Sequence, residues 1–128
     1  MRTIFFSIVV SLFAITMLKC NKGPDSEENL SISIDAPAYN ETNGPDFNFR
    51  VTVESKMPPR GVRIICTVRG EADNFNYPQS PEIETTVKTS AIRVINLPRQ
   101  KFCICTVRVV SLGHGTNNTS KDFRIVYK

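Results

Sequence analysis

Phe47-Asn48-Phe49-Arg50-Val51-Thr52-Val53-Glu54 is the stretch on which the fold turns. Its aromatic and β-branched residues alternate strictly with polar ones, and a period of two sends the two sets to opposite faces of a β-strand. Such side chains suit a pleated, half-buried surface. Working outward, the same alternation marks 31–36 through Ile32 and Ile34, and 62–70 through Val62, Ile64, Cys66 and Val68. It returns in 82–88, 91–97, 101–112 and 121–127. Breakers separate these runs: Asn43-Gly44-Pro45-Asp46, Pro58-Pro59-Arg60-Gly61, Pro78 to Pro81, Pro98 and Gly113-His114-Gly115. No stretch sustains a 3.6-residue period. With 46–54 this makes about seven strands at roughly ten-residue spacing, which predicts an all-β antiparallel β-sandwich over residues 31–128, a usual size for one domain.

Before the domain the chemistry changes. Arg2 gives a basic start, and an apolar run from Ile4 to Leu18 follows, broken only by Ser7, Ser11 and Thr16. A basic start and a short apolar core are the layout of a secretory signal. The run falls short of the ~20 residues that span a bilayer as a helix. Residues 1–19 are therefore expected to be a signal peptide, ending just before Cys20. From Cys20 to Leu30 the chain is polar, and 20–30 reads as a tether.

The formal charge of +4 partly belongs to that signal. Arg2 and Lys19 leave with it, so Lys+Arg falls from 16 to 14 against 12 acidic residues. So mild a surplus, with no basic cluster, argues against a nucleic-acid partner.

Met17-Leu18-Lys19-Cys20, followed by Asn21-Lys22-Gly23-Pro24-Asp25-Ser26-Glu27-Glu28-Asn29, resembles the leader of Bacteroidota-type lipoproteins. Lys19 stands where such signals usually carry Gly, Ala or Ser. The resemblance implies lipidation of Cys20 (palmitate or a similar acyl chain), membrane attachment through that lipid, and residence at the bacterial outer membrane or cell surface. The strand pattern, closing on Phe123-Arg124-Ile125-Val126-Tyr127-Lys128, looks like the immunoglobulin-like or fibronectin III-like domain of small lipoproteins of that group. The chain departs from antibody-type domains in having no Trp and in its cysteine positions.

With Cys20 given to lipid, Cys66, Cys103 and Cys105 remain in an oxidising setting. The segments 62–70 and 101–112 are expected neighbours, so Cys66 can reach Cys103 or Cys105 in one disulfide. The alternative is three small buried thiols. A Cys103–Cys105 bond is disfavoured, because residues two apart on a strand have parallel Cβ vectors and Cα atoms about 6.5 Å apart. Three thiols without a nearby fourth ligand do not make a zinc site, so no metal or other cofactor is expected.

His114, the one histidine, lies between glycines and reads as a turn residue rather than a catalytic one. No nucleophile–base pair can be assembled around it, and the chain is expected not to be an enzyme. Asn40-Glu41-Thr42-Asn43-Gly44-Pro45-Asp46 is oxygen-rich but lacks the carboxylate spacing of a calcium loop, and is expected to be a solvated turn. Phe75 and Tyr77 lie among Asn and Asp, either as a glycan-stacking pair or folded back onto the core.

Parity supplies the main candidate surface. If Val62, Ile64, Cys66 and Val68 face inward, then Arg63, Ile65, Thr67 and Arg69 face out. Likewise Phe102, Ile104, Thr106, Arg108 and Val110 face out, and so do Arg124, Val126 and Lys128. The expected partner face joins Arg63, Arg69, Arg108 and Arg124 with Ile65, Phe102 and Ile104, without acidic residues. That mixture is enriched at protein interfaces. The functional expectation is a non-enzymatic interaction or structural module of the envelope; the alternative is a carbohydrate-binding accessory lipoprotein using Phe75 and Tyr77. Its partner would be an envelope protein or a glycan.

Overall fold

The computed structural model describes residues 27–128, so the expected signal and Cys20 lie outside it. Nine strands run in chain order: β1 (Ile32–Ile34), β2 (Tyr39–Thr42), β3 (Phe47–Val53), β4 (Val62–Gly70), β5 (Asn76–Tyr77), β6 (Ile83–Thr85), β7 (Thr89–Val94), β8 (Phe102–Ser111) and β9 (Asn118–Tyr127). No described residue is helical. The strands form two sheets, one ordered β1-β3-β7, the other β2-β9-β8-β4-β5 with β6 also paired to β4. This is an all-β, sandwich-like arrangement.

The alternation that opens the sequence reading sets the core. Phe49, Val51 and Val53 of β3 are buried, as are Ile92 and Val94 beside them on β7. Opposite stand Val62, Ile64 and Val68 of β4, Cys103, Cys105, Val107 and Val109 of β8, and Phe123 and Ile125 of β9. Phe49 meets Phe123 edge-on across the layers, with ring centroids 5.0 Å apart. Each such side chain withdrawn from water contributes about 1.5–3 kcal/mol before conformational entropy is charged against it.

The structure corrects the expected strands in three places. Tyr39–Thr42 is an edge strand rather than a solvated turn, and it pairs with β9 in parallel, so the sandwich is not wholly antiparallel. Its sequence has no apolar alternation; what faces inward is Asn40, whose amide donates to the Pro37 carbonyl at 2.7 Å and the Arg124 carbonyl at 3.3 Å. Hydrogen bonds replace hydrophobicity there. Asn76–Tyr77 is a second unforeseen strand, short and set against Val68 and Arg69. The segment 82–88 shortens to Ile83–Thr85 on the larger sheet, and the strand expected over 91–97 begins earlier, at Thr89, and ends at Val94 on the other.

The N-terminal boundary also moves. Leu30 joins the core, and its amide donates to the Asn117 side chain at 2.9 Å. Glu27 accepts from Ser111 Oγ at 2.6 Å and from Asn117 Nδ2 at 3.1 Å. Residues 27–30 thus belong to the packed domain, clasped to the turn between β8 and β9. Only 20–26 of the expected tether lies beyond that clasp.

Candidate partner-binding face

β4, β8 and β9 present the expected parity. In register, Arg69 faces Ile104 and Ile104 faces Arg124 across the outer surface of the larger sheet. Ile65 and Ile104 are half-buried, Arg69, Arg108 and Arg124 exposed. Phe102 keeps 44% of its surface exposed. Val126, outward by parity, is nevertheless buried between its register neighbours Phe102 and Glu41.

The expectation of unopposed positive charge is not met. Arg63 lies 3.0 Å from Glu84 and 3.2 Å from Glu82, carboxylates that the β6 segment brings to the β4 edge. Arg124 pairs with Glu71 at 2.8 Å, and Lys128 with Glu41 of β2 at 2.8 Å. Arg69 donates to the Asn74 side chain at 3.0 Å. These acceptors come from neighbouring loops and edge strands, which strand parity alone cannot place. Asp122 of β9, missed in that reading, shares the parity of Arg124. Among the described residues, Arg108 is the arginine of the expected face that makes neither an ion pair nor a side-chain hydrogen bond.

A cluster emerges where β2 joins. Its Tyr39 is 42% exposed and stands opposite Arg124, bringing its ring centroid to 6.3 Å from that of Phe102. The Arg124 guanidinium lies 4.8 Å from the Phe102 centroid and 5.9 Å from that of Tyr39. The hydrogen bond to Glu71 strengthens Arg124's hold on its proton. Tyr39 donates its hydroxyl to Glu41 at 3.0 Å. Hydrogen bonds from Lys128 and Tyr39 keep the Glu41 carboxyl below its usual range, while desolvation and then Glu41 push the Tyr39 phenol upward. Beside Phe102 opens a hollow of about 400 Å³, bounded by Glu71, Ala72, Asp73, Gln100 and Lys101. Two rings and a guanidinium fixed by a carboxylate make a preorganised amphipathic contact point. Sequence reasoning held Phe102 and Arg124 but missed Tyr39 and Glu71.

The remaining candidates separate. Phe75 is 57% exposed, while Tyr77 packs against the core as well as against Phe75, with centroids 4.9 Å apart and planes inclined at 59°. His114 lies in the β8–β9 turn, its Nε2 4.0 Å from Glu27. In the oxygen-rich segment, Asp46 pairs with Arg93, and Glu41 is engaged as above. Cys66 and Cys105 bring their sulfurs to 3.3 Å as free thiols, while Cys103 is buried with its Sγ 3.9 Å from the Lys101 carbonyl. The chain matches no known protein family and no curated protein.

Proposed function

We propose that the chain is a non-enzymatic interaction module of a bacterial envelope, exported by residues 1–19 and anchored by lipid on Cys20. On this reading it captures a protein partner through the outer face of the larger sheet, centred on Tyr39, Phe102, Ile104 and Arg124. The observation that carries the reading is the exposed stack of Arg124 against Phe102 and Tyr39. Aromatic and Arg side chains dominate binding energy where a partner excludes water from them, and this pair is already ordered before a partner arrives. The immunoglobulin-like or fibronectin III-like assignment belongs to the same reading, supported by β1-β3-β7 standing against β9-β8-β4. Among the described residues the one histidine, His114, has a single carboxylate near it, Glu27 at 4.0 Å, which supports a non-enzymatic role.

A cross-linking pull-down from cells carrying the lipidated protein tests this proposal. One protein should be recovered with wild type and lost with Phe102→Ala and with Arg124→Ala; equal recovery with all three defeats it. Metabolic labelling with a fatty-acid analogue should mark wild type and not Cys20→Ser. The 57% exposure of Phe75 keeps a second reading, glycan binding, in play. Retention on a glycan array that Phe75→Ala removes and Arg124→Ala spares would establish that reading instead.

A further inference from the structure

We propose that Cys66 and Cys105 form a redox-convertible dithiol, with Cys66 as the attacking thiol and Cys105 as the resolving one, whose substrate is a small organic disulfide. The juxtaposition is a product of register. Cys66 stands opposite Val107 and Cys105 opposite Val68, so the two cysteines are diagonal neighbours on the inner face of β4 and β8. Diagonal positions are usually about 7–8 Å apart, yet these side chains lean together until their sulfurs are 3.3 Å apart. A disulfide needs about 2.05 Å between the sulfurs and Cα atoms within about 7 Å, so closing the remaining gap of about 1.2 Å draws β4 and β8 slightly together at this diagonal. Cys103 stands opposite Gly70, two residues farther along β8.

The two thiols differ in access. Cys66 is half-buried at the floor of a groove of about 230 Å³, where β7 and the segment 79–83 leave the edge of the sandwich open. Ile64, Pro81, Ile83, Ile92 and Arg93 line its walls. Cys105 is wholly buried behind it. A reagent entering the groove therefore meets Cys66 first. Chemistry follows the same order. Either thiol can donate across this contact; once Cys66 is ionised the S–H of Cys105 donates to it and favours the thiolate, while that bond and burial hold the proton on Cys105.

The exchange balances as two displacements. The Cys66 thiolate attacks one sulfur of the disulfide RSSR, forming a mixed disulfide and expelling a thiolate, RS⁻, which takes a proton. Cys66 then carries no negative charge, so the interaction that retained the Cys105 proton is gone. Cys105, still held protonated by burial, gives up that proton as it attacks the Cys66 sulfur, and the second RS⁻, expelled into the groove, accepts it. The net change oxidises two protein thiols to one disulfide and reduces RSSR to two RSH.

Glutathione disulfide is the probe. The full chain, reduced and then freed of reductant, is exposed to it and read by intact mass and peptide mapping, which also reports Cys20 separately. Wild type should lose two hydrogens, link the Cys66 and Cys105 peptides and retain no glutathione at Cys66. Cys105→Ala should retain glutathione on Cys66. In folded, reduced wild type, alkylation by iodoacetamide should reach Cys66 at least an order of magnitude faster than Cys103 or Cys105, which tests access without any variant. A wild-type bond involving Cys103, a persistent adduct on wild-type Cys66, or alkylation of Cys66 no faster than that of the buried thiols would overturn the proposal. So would Cys105→Ala that keeps the wild-type circular dichroism and stays unmodified at Cys66.

Discussion

Arg124 and Phe102 are held as a stacked pair, the guanidinium 4.8 Å from the ring centroid, although they sit diagonally on β9 and β8. Glu71 fixes the far side of the guanidinium at 2.8 Å. The pair is open to solvent, so its share of fold stability is small. Arg124→Ala should leave thermal unfolding nearly unchanged while weakening partner capture at least about tenfold, the scale of a binding hot spot. Arg124→Lys should also fail to restore capture, because an ammonium cannot reproduce the planar stack. Titration calorimetry with the recovered partner measures both; full rescue by Lys would show that charge alone matters.

Ile104 and Val107 lie on one strand with opposite parity, Ile104 half-buried on the outer face and Val107 fully buried. Ile104→Asp should cost about 1 kcal/mol and abolish capture. Val107→Asp should cost more than about 4 kcal/mol, since it buries an unpaired charge. Urea unfolding of the two variants compares them directly.

Long-range attraction now rests on Arg108 and on Arg69, whose Asn74 partner is neutral, because Arg63 is matched by Glu82 and Glu84. Arg108→Glu should slow association with an acidic partner and flatten its dependence on salt. Arg63→Glu should chiefly loosen the β4–β6 edge, by bringing three carboxylates together. Stopped-flow association rates across ionic strength separate the two effects.

Glu27 carries the pH dependence of the N-terminal clasp. Its hydrogen bond from Ser111, opposed by burial and aided by Asn117 and His114, places its pKa below the ordinary 4.5. A carboxyl lowered in the folded state binds fewer protons there than in the unfolded chain. Its stabilisation is therefore complete above about pH 4.5 and is lost as pH falls through the lower folded value. Glu27→Gln should flatten that acid limb. Melting temperature against pH, wild type beside variant, checks it; parallel curves would deny Glu27 this role.

Gly61 lies just before β4 at φ +86°, and a Cβ there would stand 2.6 Å from the Thr85 carbonyl oxygen. Gly61→Ala should cost about 2 kcal/mol or more, combining left-handed strain with the clash. In a domain of this size that lowers the melting temperature by roughly 10 °C, measurable by calorimetry.

The strands legible in the sequence were those whose apolar residues alternate, such as Phe47–Val53 and Phe102–Ser111, because burial of one face writes itself into composition. β2 was illegible because its inward residue, Asn40, is satisfied by two carbonyls rather than by apolar neighbours. Its absence hid Tyr39 from the candidate site, and with it the second ring beside Arg124. Charge balance failed for a related reason. Glu71, Glu82 and Glu84 reach the arginines by topology, which no local period encodes. The cysteines illustrate a finer limit: strand parity put Cys66 and Cys105 on the same face, but only the register sets them diagonal with sulfurs 3.3 Å apart.

The clasp of Glu27 and Leu30 on the β8–β9 turn gives the domain a polarity. Glu27 and Leu30 lie beside Ser111 and Asn117, whereas Phe102 begins β8 at its opposite end, nine residues away. At about 3.3 Å per residue, roughly 30 Å of rigid strand separates the two. With the proposed anchor at Cys20, the seven residues 20–26 add at most about 25 Å of slack. On that proposal the clasped end of β8 would lie toward the bilayer and the Arg124 stack at the far end of the strand. A partner would then be met at a height to which the rigid length of β8 and the slack of the leader contribute comparably, about 30 and at most about 25 Å.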